Sequence, residues 1–211
     1  MRYPANRKEE SRQKILQAAA RLFREHGYNG VGVDAVMAEA GLTPGGFYAH
    51  FPSKEALFAE ALASSFKARS AAVGEMLKNH SDAEWVQILI SAYLSRSHRD
   101  MVSEGCPLPA LTPDVTRSSP EARQMYEKYI QRMVSEISKR LATDAETDRF
   151  LAIALVSQMI GGLMLARAVD SPQFSDEILK ANRTIALQLC QDLLSQKTED
   201  QPTDDSTQGD V

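Results

Sequence analysis

The apolar residues of this chain recur at helical spacing almost from end to end, and no stretch of four to eight residues alternates convincingly as a strand would. That property leaves an all-α fold, in which each helix buries a stripe against another. With 211 residues, 43% of them hydrophobic, the chain can close a real core, as one ordinary domain or a small domain joined to a larger one. No run of about 18 apolar residues occurs, so no membrane span is expected, and the N-terminus lacks the apolar stretch of a secretory signal. Cys106 and Cys190 have no CxxC spacing and fit a reducing cytoplasm, where the protein is expected to reside. His26, His50, His80 and His98 show no ligand spacing, so neither metal nor cofactor is expected.

The first helix is read from about Lys8 to His26, with Ile15, Ala19, Leu22 and Phe23 inward and Gly27 as its stop. A second runs from Val33 to Ala40, with Val36, Met37 and Ala40 inward. Gly41 can close it with a positive φ, and Thr43 followed by Pro44 reads as an N-cap and first residue of a very short helix. Phe47 and Phe51, four apart, anchor that helix, while Tyr48 and His50 point elsewhere. Ser53 caps a fourth helix that continues to about Lys78, long enough to leave a small N-terminal domain and enter a second one.

Beyond it, Asp82 is read as the cap of a helix to about Arg99, striped by Trp85, Ile88, Leu89, Ala92 and Tyr93. The stretch from Glu104 to Pro113, with three prolines, allows only a short helix or turns. Ser119-Pro120 starts a helix to about Leu141 with Met125, Tyr129, Met133 and Ile137 inward. A strongly apolar helix spans Asp144 to Val169, and Pro172 separates it from a last helix, Ser175 to Gln196. The domains expected are 1–54, with the fourth helix linking onward, and 55–196, followed by a disordered acidic tail at 197–211.

Helix, turn at Gly41-Leu42 and short second helix form a helix-turn-helix, a unit that places its second helix in the major groove of DNA. Net charge is −4, yet residues 1–54 hold eight Lys/Arg against five acids, a basic head on an acidic body.

The run Phe23-x-x-x-Gly27-Tyr28, then Val33-Asp34-x-Val36-x-x-x-Ala40-Gly41-Leu42-Thr43-x-Gly45-x-Phe47-Tyr48-x-His50-Phe51-x-Ser53-Lys54-Glu55-x-Leu57, resembles the N-terminal domain of TetR/AcrR-type transcriptional regulators. Two residues depart from that pattern. Gly32 stands where a capping Ser or Thr is common, and Met37 where Ala is common. The resemblance implies a regulator, most often a repressor, that binds double-stranded operator DNA as a homodimer. It also implies that Thr43, Tyr48, His50 and Lys54 touch the DNA backbone, in keeping with their chemistry as phosphate donors.

Pro44, Gly45, Gly46 and Ala49 offer no side-chain donors to bases. Close approach of the Pro44–Gly46 backbone, DNA shape, and a basic arm of Arg2, Arg7 and Lys8 in a minor groove are therefore expected to carry part of the discrimination.

The resemblance further implies a four-helix dimer interface made by 144–169 and 175–196, with Gly161 and Gly162 allowing close helix approach, and a pocket for a small-molecule effector. Trp85, Tyr93, Cys106, Met125, Tyr129, Met133, Phe150 and Met159 are the candidate lining. Cys106, in its proline-flanked segment, could sense electrophiles or oxidants if a helix N-terminus lowers its pKa, or could be a small buried hydrophobe. Two rival readings stand beside the regulator. One is an enzyme with Cys106 as nucleophile and His98 as base, a pair nothing in the sequence brings together; the other is a helical ligand carrier without a DNA role. The regulator, not an enzyme, is the expected answer.

Overall fold

The computed structural model describes residues 5–141 and 144–199, and among them every regular element is helical. In chain order these are α1 (Ala5–His26), α2 (Val33–Glu39), the short 3-10 helix η1 (Pro44–Ala49), α3 (Lys54–Leu77), α4 (Asp82–Tyr93), α5 (Arg96–Asp100), α6 (Pro107–Val115), α7 (Pro120–Leu141), α8 (Ala145–Ala168) and α9 (Pro172–Glu199). The all-α expectation holds. The tail expected from Lys197 lies outside the described residues, except that α9 continues to Glu199.

Gly27 (φ 72) and Gly41 (φ 69) both take the left-handed conformation that ends a helix. At Gly41 the closure is a full Schellman pair. The Gly41 N–H donates to the Ala38 carbonyl at 3.0 Å and the Leu42 N–H to the Met37 carbonyl at 2.9 Å. Thr43, by contrast, makes no side-chain cap. The helix that follows is wound as a 3-10 helix, so the Gly46 N–H donates to Thr43's own carbonyl at 3.1 Å. The Thr43 hydroxyl is left exposed instead.

Other boundaries move for equally local reasons. The cap of α4 is Ser81, not Asp82. Ser81 and Glu84 form a reciprocal capping box, the Ser81 N–H donating to the Glu84 carboxylate at 3.0 Å. The helix expected through Arg99 breaks at Leu94, where ψ is 47, and Ser95 caps the one-turn α5 by accepting from the His98 N–H at 3.1 Å. The proline-rich stretch does form a helix. Pro107 and Pro109 fall in the first turn of α6, where N–H groups have no partner anyway. Pro172 begins α9 rather than separating it, with Ser171 accepting from the Phe174 N–H at 3.3 Å.

The buried side chains form one continuous cluster with two regions. The aromatic core of the first joins Ile15, Ala19 and Phe23 of α1, Val36 and Met37 of α2, Phe47, Phe51, and Leu57 and Phe58 of α3. The second is a bundle in which α8 packs most extensively against α7 and α9, with α4 alongside and α5–α6 closing one end. By length and mean hydropathy (1.7) α8 could cross a membrane, contrary to the expectation from the raw sequence. Its Leu155, Val156, Met159 and Leu163 are instead buried in the bundle, as in a core helix. The 24-residue α3 belongs to both units. Gly162 serves this intrachain packing, since a side chain there would meet Asn182 of α9 at 2.8 Å, whereas Gly161 faces open space.

Candidate nucleic-acid interface and internal cavity

The short helix η1 is fixed from below and bare on top. Phe47 and Phe51 are both fully buried, their rings stacked with centroids 5.9 Å apart. Tyr48 stands outside that core, 74% exposed, with its ring edge-on to Phe47. Thr43, Pro44, Gly45 and Ala49 are exposed as well. Gly46 is half-buried, and a side chain on it would meet the Met37 Cε at 3.6 Å. The bulky residue of α2 thus lies over the bare residue of η1.

His50 is half-buried on the same unit, near Lys8, Arg12 and Glu9 of α1. Burial first, then the Lys8 and Arg12 charges, push its pKa below the ordinary value, and its Nδ1 has no hydrogen-bond partner. Lys54 sits at the first turn of α3 with Nζ 4.1 Å from the Tyr28 ring centroid. Burial and the Glu55 carboxylate, to which the Tyr28 hydroxyl donates at 2.7 Å, push that phenol up to about 12.

Arg7 and Lys8 are exposed, but they do not belong to an arm. They lie in the first turn of α1, which starts at Ala5 and carries no acid in that turn. Two cations at a helix N-terminus oppose its dipole, so an anion placed there gains from both. Arg2 lies outside the described residues. Arg12 and Arg21 are occupied, Arg12 by Glu60 and the Phe51 ring and Arg21 by Glu39.

A cavity of about 430 Å³ opens between α3, α4 and α7. Five expected residues line it: Trp85, Tyr93, Cys106, Tyr129 and Met133. Three do not. Met125 faces a separate open groove beyond Tyr129, Phe150 is 72% exposed on the outer side of α8, and Met159 is fully buried in the bundle. Periodicity gave the apolar face of each helix but not which neighbour that face meets. The sequence reading missed the cationic share of the wall, Arg69, Lys78, Arg132 and Arg140. A signal was present: Arg69, Val73 and Leu77 recur every four residues on α3, and Arg132, Glu136 and Arg140 share a side of α7 with Tyr129 and Met133. At the mouth Arg140 stacks on Trp85, 4.1 Å from its centroid, and pairs with Glu136 at 3.0 Å and Asp82 at 3.6 Å.

The inner wall is a polar cluster. The structure does bring Cys106 to His98, but through its backbone. The His98 Nε2 accepts from the Cys106 N–H at 3.0 Å, while Nδ1 lies 2.8 Å from the Tyr93 carbonyl. That carbonyl only accepts, so the ring is the Nδ1–H tautomer and both its nitrogens are used. It has no lone pair left to serve the thiol as a base. Burial pushes the His98 pKa down to about 4. Gly105 makes this fit possible, since a side chain there would meet the His98 Cδ2 at 2.9 Å and the Met101 carbonyl at 2.8 Å. Cys106 is the N-cap residue of α6, the position expected to lower a thiol's pKa. Burial outweighs that effect and pushes the thiol up. The Tyr93 hydroxyl is buried beside the Cys106 thiol, the two side chains within hydrogen-bonding reach of each other. Among the described residues no group of three or more His, Cys, Asp or Glu could hold a metal ion.

One further contact ties the two units. Arg24, near the end of α1, donates to the Ser65 hydroxyl of α3 at 2.8 Å and to the Ser103 carbonyl in the segment leading to Cys106.

Residues 15–61, from Ile15 of α1 to Ala61 of α3, match the family described as bacterial regulatory proteins, tetR family. The HTH-type transcriptional regulator YxaF of Bacillus subtilis is 28% identical over 162 residues, which is 74% of this chain and 85% of that protein. The HTH-type transcriptional repressor KstR of Rhodococcus jostii is 29% identical over 156 residues, 72% of this chain and 69% of KstR. A crystal structure of a TetR transcriptional regulator from Chloroflexus aurantiacus superposes with a TM-score of 0.75 at 22% identity, covering 88% of this chain and 96% of that one, and so shares the fold. Fold, helix-turn-helix motif and relatives agree in supporting a TetR-type transcriptional regulator, with residues 15–61 matching the family itself.

Proposed function

We propose that the protein is a homodimeric repressor that holds operator DNA with η1 and the start of α1, and that a small molecule in the α3–α4–α7 cavity releases it. The observation that carries this reading is the continuity of α3. Its first turns supply Leu57 and Phe58 to the core that holds η1, and its last turns supply Arg69, Ser70, Val73, Gly74 and Leu77 to the cavity wall. A ligand that moves the wall tilts a rigid rod whose other end sets the angle of the reading helix. Coupling of this kind is typically about 1–3 kcal/mol. The bridge from Arg24 to Ser65 and Ser103 gives the inner wall a second route to α1.

In this reading Thr43, Tyr48, His50 and Lys54 contact phosphates. Pro44, Gly45 and Gly46 bring backbone close to the bases, and Arg7 and Lys8 hold phosphate at the start of α1 rather than entering a groove. The reading unit extends beyond residue 54 into α3, because Leu57 and Phe58 complete its core.

Dimerisation is supported by a stripe along α8. Phe150, Ala154, Ser157, Gly161 and Leu165 share one face, with Phe150 72% and Leu165 59% exposed. Phe174 and Ile185 of α9 are exposed as well. Large apolar side chains flanking a small-residue centre fit a close helix crossing with a second copy.

The test is a gel shift on the DNA upstream of the protein's own gene, paired with light scattering. The wild type should shift as a dimer. Tyr48→Ala should weaken the shift without changing the mass, and Leu165→Glu should give monomers that do not shift. A DNA-binding monomer, or no upstream site at all, would overturn the reading. Thermal stabilisation then screens for the effector.

A further inference from the structure

We propose that Tyr28 is a positioning residue for DNA binding: its ring carries the Lys54 ammonium and its hydroxyl draws Glu55 aside, so that Lys54 keeps N–H donors free for a phosphate. This rests on the reading of Lys54 as a backbone contact and adds to it a residue that acts through Lys54. Tyr28 directly follows Gly27, whose left-handed turn (φ 72) ends α1 and brings the phenol to the first turn of α3. There the ring is held from behind. It lies 5.9 Å from the Phe23 ring and 5.0 Å, edge-on, from the Phe58 ring. Both are core residues of the reading unit, 1% and 2% exposed, so Tyr28 is fixed to the same core as η1.

Consecutive residues of a helix diverge by about 100°, so Lys54 and Glu55 do not face each other. Tyr28 touches both. The Lys54 Nζ stands 4.1 Å from the ring centroid, and the hydroxyl donates to the Glu55 carboxylate at 2.7 Å. That hydrogen bond is also the first cause of the lowered Glu55 pKa. Lys54 forms no ion pair among the described residues, although it lies in the first turn of α3, where a cation opposes the helix dipole. A carboxylate partner would occupy the ammonium and repel a phosphate. A ring face attracts the same charge through its quadrupole and leaves N–H donors on the far side. The long Lys54 side chain is thereby held in place before DNA arrives, and it loses less freedom when a phosphate binds it.

The experiment is a double-mutant cycle, with binding of the full chain to DNA from upstream of its own gene followed by fluorescence anisotropy across a salt series. Lys54→Met should weaken binding and flatten the log–log salt slope by about 0.9 per protomer. Tyr28→Leu should weaken binding roughly tenfold, since each protomer loses a positioned cation. On the Lys54→Met background the same change should cost about twofold or less, while its effect on the denaturation midpoint is the same in both backgrounds. Tyr28→Phe, which keeps the ring, should retain most of the affinity. A second measurement needs no DNA. In protein with isotopically labelled dimethyl-lysines, the Lys54 resonance, assigned by its absence in Lys54→Met, should be displaced upfield by the ring current. It should return in Tyr28→Leu and stay displaced in Tyr28→Phe. An equal affinity loss from Tyr28→Leu in both backgrounds, unchanged affinity in Lys54→Met, or an undisplaced resonance would each overturn the proposal. A displaced resonance in a protein that does not bind the DNA contradicts the DNA reading, and with it the role, while the contact itself stands.

Discussion

The two ends of α3 sit in opposite kinds of core. Around Leu57 and Phe58 the interior is aliphatic and aromatic, and the polar groups that could do chemistry, Thr43, Tyr48, Arg7 and Lys8, stand outside it. Around Arg69 and Leu77 the interior encloses a void, with Tyr93, His98 and Cys106 buried beside it. A core of interlocked aliphatic and aromatic side chains, with the His50 Nδ1 buried at its edge, packs densely and becomes rigid. A core that buries a phenol, an imidazole and a thiol beside guanidinium groups with no carboxylate partner forgoes stability that added partners would supply. The first suits a surface of fixed shape, and the second suits a site whose occupancy changes the fold around it.

The contrast can be broken most sharply by acid. His98 stays neutral in the folded chain, its pKa near 4 against an ordinary 6.5. Below pH 6.5 the unfolded chain takes up a proton that the folded chain refuses, so stability falls as pH falls. Between pH 6.5 and 5 this group should remove about 2 kcal/mol, read as a declining urea midpoint. His50, shifted in the same direction, adds to the loss. The carboxylates with lowered pKa, such as Asp144 and Asp176, act only below that window. His98→Gln should be less stable at neutral pH and lose most of the slope. If the slope survives in that variant, the polar cluster of the bundle is not its source.

The next test strains the rigid unit instead. Gly41 holds φ at 69, where a Cβ crowds the backbone. Gly41→Ala should cost about 1–2 kcal/mol, seen as a lower denaturation midpoint. A smaller loss would mean that the end of α2 is free to rearrange and that this unit is less fixed than its core suggests.

The reading unit was legible in the sequence because its determinants are local. Gly27 and Gly41 as stops, Ser53 as a cap, and Phe47 with Phe51 one turn apart all act within a few residues, and the structure has each of them in place. Where local reading failed there, at Thr43, the 3-10 winding of η1 had already taken the donor a cap needs. The cavity was only half legible. Trp85, Tyr93, Cys106, Tyr129 and Met133 were found from their residue type, but Phe150 and Met159 share that type and lie elsewhere. Which face of α8 meets α7 and which stays outside is a matter of helix packing, and no short window of sequence holds it. Arg69 and Arg132 were passed over because a cation on a helix ordinarily faces water.

A third test separates stability from recognition within the rigid unit. Nothing lies within 4 Å of a side chain built on Gly45, and its φ is not positive. Gly45→Ala should therefore fold as well as the wild type. If backbone meets DNA there, the added methyl should weaken operator affinity by roughly tenfold, about 1.4 kcal/mol. Unchanged affinity would move the reading to Tyr48 and to DNA shape.

The smallest effect is the most pointed about how tightly the first unit is held. Gly32 is the N-cap of α2 with φ −90 and ψ 158, the extended geometry of a cap, yet it offers no side chain to accept from the helix. A Cβ at this position meets nothing within 4 Å. Gly32→Ser should therefore add the missing cap and stabilise the protein by a few tenths of a kcal/mol, measured as a rise in denaturant midpoint. The α2 helix is gripped below by Val36 and Met37, both 1% exposed, and closed at its far end by Gly41. Those contacts already fix its position, so DNA affinity should not change. A variant that binds operator DNA more tightly would show the opposite. It would mean that the start of α2 frays in the free protein, that ordering it opposes binding, and that the reading unit is as adaptable as the bundle behind it.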